Sequence, residues 1–177
     1  MNIIQESSEV EALAMAEKDN GDVYFVPAFS GLFSPHWDET ARGVLVGLSR
    51  FSNKSHIARA VLESVAYQSN ELLESMEKDI GITFESVNVD GGMVVNNLLM
   101  QFQSDIFNKK VISQEINEIT ALGAGAASFL FINNHPLENI DSFISQSNTW
   151  NPNMDSKLRE HYLDKWNKAI NKSKQWK

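Results

Sequence analysis

Cysteine is absent from the 177 residues, and histidine is scarce and dispersed. Without cysteine the chain has no disulfide, no thiol nucleophile and no cysteine-built zinc site, which is compatible with the reducing cytoplasm in which we expect it. The four histidines, His36, His56, His135 and His161, show no metal-ligand spacing. We therefore predict no histidine-built metal centre and expect these side chains to lie at the surface or to cap helices.

Long apolar runs are also missing. The longest one, from Ala121 to Ile132, is about half of the roughly 20 residues that a membrane-spanning helix needs, and the N-terminus lacks a basic-then-apolar signal pattern. The net charge of −8 is uneven, because residues 157–177 contain seven Lys/Arg and two acids, which leaves −13 for the rest. We expect no membrane span, and so acidic a body is a poor partner for nucleic acid.

Short apolar runs alternate with helical patterns along the chain. Residues 23–26, 44–48, 86–89 and 110–116 are typical of strands, and helical spacing is found at 55–80, after residue 92, around 122–130 and from 156. This alternation predicts an α/β domain with a central sheet covered by helices. Residues 1–21 are expected to form a linker helix, opened by the capping-box pair Ser8 and Glu11 and followed by the domain at 22–177.

The most informative stretch is residues 86–97, SVNVDGGMVVNN, in which a strand-like run stops at Asp-Gly-Gly and enters a helical pattern. Gly91 and Gly92 permit positive φ and close approach of a ligand, while the next helix offers unpaired N–H groups to an anion. A tight strand-to-helix connection has the same pattern, so both interpretations stay open at this point. A dinucleotide-binding oxidoreductase is disfavoured, because no G-x-G-x-x-G opens a helix here.

Four segments carry a resemblance to a known family. They are residues 26–43 (VPAFSGLFSPHWDETARG), 43–63 (GVLVGLSRFSNKSHIARAVLE), 90–106 (DGGMVVNNLLMQFQSDI) and 118–124 (EITALGA). In this order they resemble the C-terminal domain of the glycerol kinases, within the sugar and polyol kinase family. That resemblance implies an actin-like, ribonuclease H-like ATPase fold and makes residues 22–177 a C-terminal nucleotide-binding domain.

The resemblance also implies an activity, which is transfer of the ATP γ-phosphoryl group to glycerol, with Mg²⁺ neutralising the phosphates and two domains closing on the substrates. Gly92 and Asn96 fall where the family contacts the nucleotide, with Asn96 expected one turn into the helix. Gly91 and Asp90 complete the loop, mainly by shaping it. We assign no catalytic residue and no metal ligand to this chain, because the family's base, metal ligands and glycerol-binding residues belong to a first domain.

The resemblance leaves alternatives open. ATP or ADP and glycerol are the expected small-molecule partners, a homo-oligomer is expected for the full enzyme, and the fragment alone is expected to be inactive. A kinase of the same family acting on another polyol or sugar is one alternative. The other is a non-catalytic module that keeps the fold for self-association or regulation, since a lone domain exposes the surface that faced its partner.

Overall fold

The structure, a computed structural model, describes residues 4–115, 119–136, 139, 143 and 146–176. Within these ranges the helices and strands follow in the order α1 (Val10–Met15), β1 (Tyr24–Val26), β2 (Val44–Val46), α2 (Lys54–Ile80), β3 (Ser86–Val89), α3 (Asn97–Phe107), β4 (Lys110–Gln114), α4 (Ile119–Ile132), β5 (Gln146–Trp150) and α5 (Ser156–Ser173). Short 3₁₀ turns precede α1 and α3, at Ser7–Glu9 and Gly92–Val95. None of the described helices combines the length and apolar character needed to cross a bilayer.

The described strands form two sheets. β1 and β2 make an antiparallel pair, with Tyr24 opposite Val46. In the second sheet β4 is central, parallel to β3 and antiparallel to β5. The predicted α/β class is confirmed, whereas the sequence did not predict β5, whose polar run Gln-Ser-Asn-Thr lacks apolar alternation. Of the strand predicted at 110–116, the part up to Gln114 is confirmed, and Ile116 lies outside the described residues.

The core lies where α2, α3 and α5 meet. Tyr67 of α2 stacks on Trp166 of α5 at 4.9 Å between ring centroids and meets Phe102 of α3 edge-on at 5.5 Å. Trp166 is 1% exposed, and Ile106 and Ile170 are buried beside it. Burying aromatic side chains of this size contributes a large part of the apolar stabilisation of a domain this small.

The helix predicted at 55–80 is confirmed as α2, which begins one residue earlier, at Lys54. The Asn53 side chain accepts from the N–H groups of Ser55 and His56, the His56 ring accepts from the Asn53 N–H, and Gly81 ends the helix with φ +69°. The helical spacing in the sequence predicts that α2 buries one apolar stripe, but the structure buries a different face. The stripe consists of Ile57, Val61, Val65, Leu72, Met76 and Ile80. The buried face consists of small and polar residues together with Leu62 and Tyr67, while four members of the stripe are exposed to between 37% and 53%: Val61, Leu72, Met76 and Ile80.

Helix α1 is shorter than the sequence suggests, and its predicted capping box is wrong. Ser8 lies in the preceding 3₁₀ turn, and no side chain caps the start of α1. The carboxylate of Glu11 is used elsewhere, because it accepts a hydrogen bond from the N–H of Leu98 in α3 at 2.9 Å. Strand β2 also ends early, at Val46, because Gly47 turns the chain with φ +83°.

Candidate functional site

The predicted turn joins β3 to α3 at the carboxyl end of the strand. After Val89, Gly91 has φ +88° and ψ 179°, and residues Gly92–Val95 make one 3₁₀ turn before α3 begins at Asn97. Two backbone hydrogen bonds hold the turn, from the Val94 N–H to the Gly91 carbonyl at 3.2 Å and from Asn96 to Met93 at 3.1 Å. The strand therefore does not pass directly into an α-helix, as the sequence suggested.

The structure requires glycine at position 91 of the turn but not at position 92. Gly91 needs its positive φ, which side-chain-bearing residues adopt only with strain. Gly92 is exposed and has no such φ, and a Cβ added there would meet no atom within 4 Å. Its N–H has no hydrogen-bond partner among the described residues. The fold of the chain therefore explains a glycine at 91 but not at 92, where the open space and the unpaired donor suit a ligand.

Asn96 is buried, 8% exposed, and is the N-cap of α3. Its Oδ1 accepts from the Leu99 N–H at 2.8 Å. The sequence prediction placed it one turn into the helix, and this is wrong, because the intervening 3₁₀ turn moves the start of α3 to Asn97. With Oδ1 committed to the cap, the amide nitrogen Nδ2 is the group that Asn96 can offer to a ligand.

The N-terminus of α3 is not the open anion site that the sequence pattern suggested. The N–H of Leu98 donates to Glu11, and the N–H of Leu99 donates to Asn96. A carboxylate already occupies the position in which the helix dipole would favour a phosphate. Sequence reasoning missed Glu11 as a site residue, because a contact between residues 87 positions apart leaves no local signal.

A cleft of about 350 Å³ opens beside the turn. Asn88, Val89, Asp90, Gln114 and Ile119 line it, so it lies at the carboxyl ends of the parallel strands β3 and β4 and at the start of α4. Asp90 is exposed at its mouth, and the buried Oε1 of Gln114 has no hydrogen-bond partner among the described residues. Ligands of α/β proteins commonly bind at this edge of a sheet. The sequence gave no reason to select Gln114.

Metal-binding chemistry is not supplied by the described part of the chain. No group of three or more His, Asp or Glu side chains there could hold a cation. Asp90 stands alone at the turn as a carboxylate, and Glu11 is engaged with Leu98. Asp90 by itself does not make a protein-built magnesium site, so a Mg²⁺ that accompanies a nucleotide would take its other ligands from the phosphates, from water and from outside the described residues.

Two residues of the second sequence segment, Arg59 and Glu63, form a buried network away from the turn. Arg59 Nε donates to Glu63 at 2.9 Å, and Asn20 Nδ2 donates to the other carboxylate oxygen at 2.8 Å. Arg59 also donates to the Glu17 carbonyl. The network ties α2 to the segment between α1 and β1, which is a structural role.

Stability is expected to fall as the pH rises, because of Glu63. Burial raises the pKa of this carboxyl to about 7, against hydrogen bonds from Arg59 and Asn20 that lower it. The folded chain therefore holds the proton more tightly than the unfolded chain does. The contribution is complete below the ordinary glutamate pKa and is lost as the pH rises through about 7. It amounts to on the order of 3 kcal/mol.

Urea unfolding at pH 5 and pH 8 tests this, with Glu63→Gln as the comparison. The variant should show a smaller loss of stability between the two pH values than the original chain. Equal losses in both proteins would contradict the assignment.

The loop between β1 and β2, in the first sequence segment, is well anchored. Asp38 Oδ1 accepts from the N–H groups of Thr40 and Ala41 and from the Thr40 hydroxyl, and these bonds lower the pKa of Asp38. His36 Nε2 lies 2.8 Å from a Glu71 carboxylate oxygen of α2. The aromatic side chains Phe29 and Trp37 are exposed. The hydrogen bonds of Asp38 and His36 thus hold a loop that exposes apolar side chains.

Comparison with known families and sequences gives a consistent result. The model of the FGGY family of carbohydrate kinases, C-terminal domain, matches residues 2–130. The glycerol kinase of Azorhizobium caulinodans is 49% identical over 177 residues, which are 99% of this chain and 36% of the relative. That of Chloroflexus aurantiacus is 48% identical, with the same two shares. The chain thus spans about a third of the length of these curated relatives.

Solved structures agree with the sequence comparison. The Plasmodium falciparum glycerol kinase with ADP superimposes with a TM-score of 0.87 at 34% identity, over 97% of this chain and 34% of that one. Gluconate kinase from Lactobacillus acidophilus, at 21% identity and a TM-score of 0.76 over 97% of this chain and 35% of that one, shares the fold. The matched span of the family model includes the turn at Asp90–Asn96 and the α2 network. The chain therefore belongs to the FGGY family of carbohydrate kinases and carries its C-terminal domain.

Proposed function

We propose that this chain is the nucleotide-binding part of an ATP-dependent kinase that phosphorylates glycerol to glycerol 3-phosphate. The observation that carries the proposal is Gly92, a glycine that the fold does not require. Its N–H has no partner among the described residues, and it follows by two positions Asp90, which lines the cleft. The similarity to glycerol kinases over 99% of the chain supports glycerol as the acceptor, more than another polyol or sugar.

The turn offers hydrogen-bond donors to a ligand. They are the Gly92 N–H and Asn96 Nδ2, and a nucleotide presents matching acceptors in its ring nitrogens, ribose and phosphate oxygens. Gly91 and Asp90 shape the turn, Gly91 through its positive φ. When bound, ATP supplies the phosphoryl group and Mg²⁺ neutralises its charge. The part of the reaction that falls to this chain is to hold and orient the nucleotide.

Two further parts of the hypothesis stay proposals. We propose a cytoplasmic enzyme, supported by a sequence without cysteine. We also propose self-association of the full enzyme, supported by large apolar side chains that are more than 70% exposed: Phe29, Phe33, Trp37 and Phe51.

Gly92→Val is expected to weaken binding of ADP to the chain strongly, because a branched side chain would fill the space that the ligand needs. Isothermal titration with Mg-ADP measures the effect, and in the complete enzyme the KM for ATP should rise while the KM for glycerol stays constant. Gly125→Val is the matched control, since Gly125 in α4 also has open space and no positive φ. If Gly92→Val and Gly125→Val bound ADP with equal affinity, the turn would be a strand-to-helix connection without a role in nucleotide binding.

Asn96 is tested with a pair of variants, because it both caps α3 and offers Nδ2. Asn96→Asp keeps an acceptor for the Leu99 N–H but removes the donor and adds a charge, so we expect unchanged thermal stability and roughly tenfold weaker ADP binding. Asn96→Ala should lose the donor and also about 1 kcal/mol of stability. If Asn96→Asp bound ADP as well as the original chain, Asn96 would be a cap and nothing more.

A further inference from the structure

Glu11 connects α1 to the start of α3, 87 positions further along the chain. Its Oε1 accepts from the Leu98 N–H at 2.9 Å. The Leu98 side chain packs against the same part of α1, in a small apolar cluster that also contains Val10, Leu13, Ala14, Ala58 and Leu62. Leu98 is thus held by α1 through both its backbone and its side chain. α1 in turn is fixed on α2 by the buried Ala14.

The hydrogen bond between Glu11 and Leu98 affects Asn96, which precedes Leu98 by two positions. Asn96, Asn97 and Leu98 are consecutive, and Asn96 caps the N–H that follows Leu98. Two neighbouring N–H groups in the first turn of α3 therefore donate to side chains. The acceptor for Leu98 is the distant Glu11, and the acceptor for Leu99 is the adjacent N-cap Asn96. Because Asn96 is rigidly placed relative to this first turn, a shift of Leu98 moves Asn96 Nδ2 and the 3₁₀ turn that ends at Val95.

The charge of Glu11 has a second effect. A carboxylate at a helix N-terminus is stabilised by the unpaired N–H groups and by the helix dipole. Glu11 thereby neutralises the positive end of α3, so the turn presents separate hydrogen-bond donors rather than a general anion site.

We propose that Glu11 is a positioning residue for the nucleotide-binding turn, acting through the Leu98 N–H to set the place of Asn96. The inference rests on the proposed nucleotide-binding function. It differs from a capping role within α1, which the sequence suggested and which the structure does not contain.

Three variants at this position separate the acceptor from the charge. Glu11→Gln keeps an oxygen that accepts from Leu98 and should bind Mg-ADP within about twofold of the original chain. Glu11→Ala removes the acceptor, and Glu11→Asp is one methylene too short to reach, so both should bind ADP roughly five- to tenfold more weakly, the effect of one hydrogen bond. Glu9→Ala is the matched control, because Glu9 lies just before α1 and, within the described ranges, its carboxylate accepts only from the nearby Gln5 N–H.

The 177-residue chain is studied by isothermal titration with Mg-ADP and by amide hydrogen exchange. Exchange at Leu98 should become faster in Glu11→Ala and stay slow in Glu11→Gln. If the original chain binds ADP and Glu11→Ala binds it equally well, or if Glu9→Ala weakens binding as much, the positioning role is wrong and the proposed function stands. If the original chain binds no ADP, the proposed function fails and this inference fails with it.

Discussion

Glycerol phosphorylation by the 177-residue chain alone is expected to stay at background, whereas kinases commonly turn over at roughly 1–100 s⁻¹. Phosphoryl transfer depends on positioning the nucleotide, the metal and the acceptor together. The described residues contain the turn for which we propose nucleotide binding but no group of three or more His, Asp or Glu side chains for a metal, and the chain spans 36% of the A. caulinodans relative. We therefore expect the chain alone to lack groups that phosphoryl transfer requires.

A coupled assay for ADP release with glycerol measures this, on protein freed of host kinase. The complete A. caulinodans glycerol kinase is the positive control, and ADP binding by the same preparation shows that the chain is folded. Turnover close to that of the complete relative would show that these residues contain the whole catalytic apparatus, which would overturn our assignment of roles.

Gly47→Ala is expected to destabilise the fold by on the order of 3 kcal/mol or more. Gly47 follows β2 with φ +83°, and a Cβ there would overlap the backbone carbonyl oxygen of Asp22. Backbone cannot rotate away as a side chain can, so the segment around Asp22 would have to move. That segment also contains Asn20, which is hydrogen-bonded to Glu63.

Gly81→Ala is the matched control for this prediction. Gly81 also has a positive φ, +69°, but a Cβ there meets nothing within 4 Å. It should cost only the left-handed backbone strain, about 1–2 kcal/mol. Urea unfolding followed by circular dichroism compares the two variants, and equal losses of stability would show that the contact with Asp22 is relieved without cost.

The parts of the fold that the sequence predicted are those with local signals. Gly81 marks the end of α2 as a C-terminal cap, and Gly91 marks the turn after β3 through its backbone freedom. The α/β class follows from alternating patterns, and the family follows from motifs spread over most of the chain. The cap and the turn are determined within a few residues of their signals, and the class and the family follow from several such local signals in order along the chain.

Other features depend on contacts between distant segments. α2 buries small and polar residues against α1, β1 and α3. Glu63 on that face accepts hydrogen bonds from Arg59 of the same helix and from Asn20 in the segment between α1 and β1. The apolar side chains Leu72 and Met76, which sequence periodicity selects, instead line a groove beside β3. The place of Asn96 depends on a 3₁₀ turn that has no sequence signature distinct from an α-helix. Periodicity identifies a helix but does not say which face its neighbours cover.

Because Trp166 is buried, the intrinsic tryptophan fluorescence of the chain reports on the packing of its core. Of the four tryptophans, Trp37 and Trp176 are 75% and 66% exposed, whereas Trp166 is 1% exposed and stacked on Tyr67. An aqueous quencher such as iodide reaches the exposed indoles in the β1–β2 loop and near the C-terminus but not the one in the core. The fourth tryptophan, Trp150 of β5, is half-buried against the core. Emission that survives quenching therefore comes mainly from Trp166 with a smaller part from Trp150, and a fall in the Trp166 part signals the separation of α2 and α5.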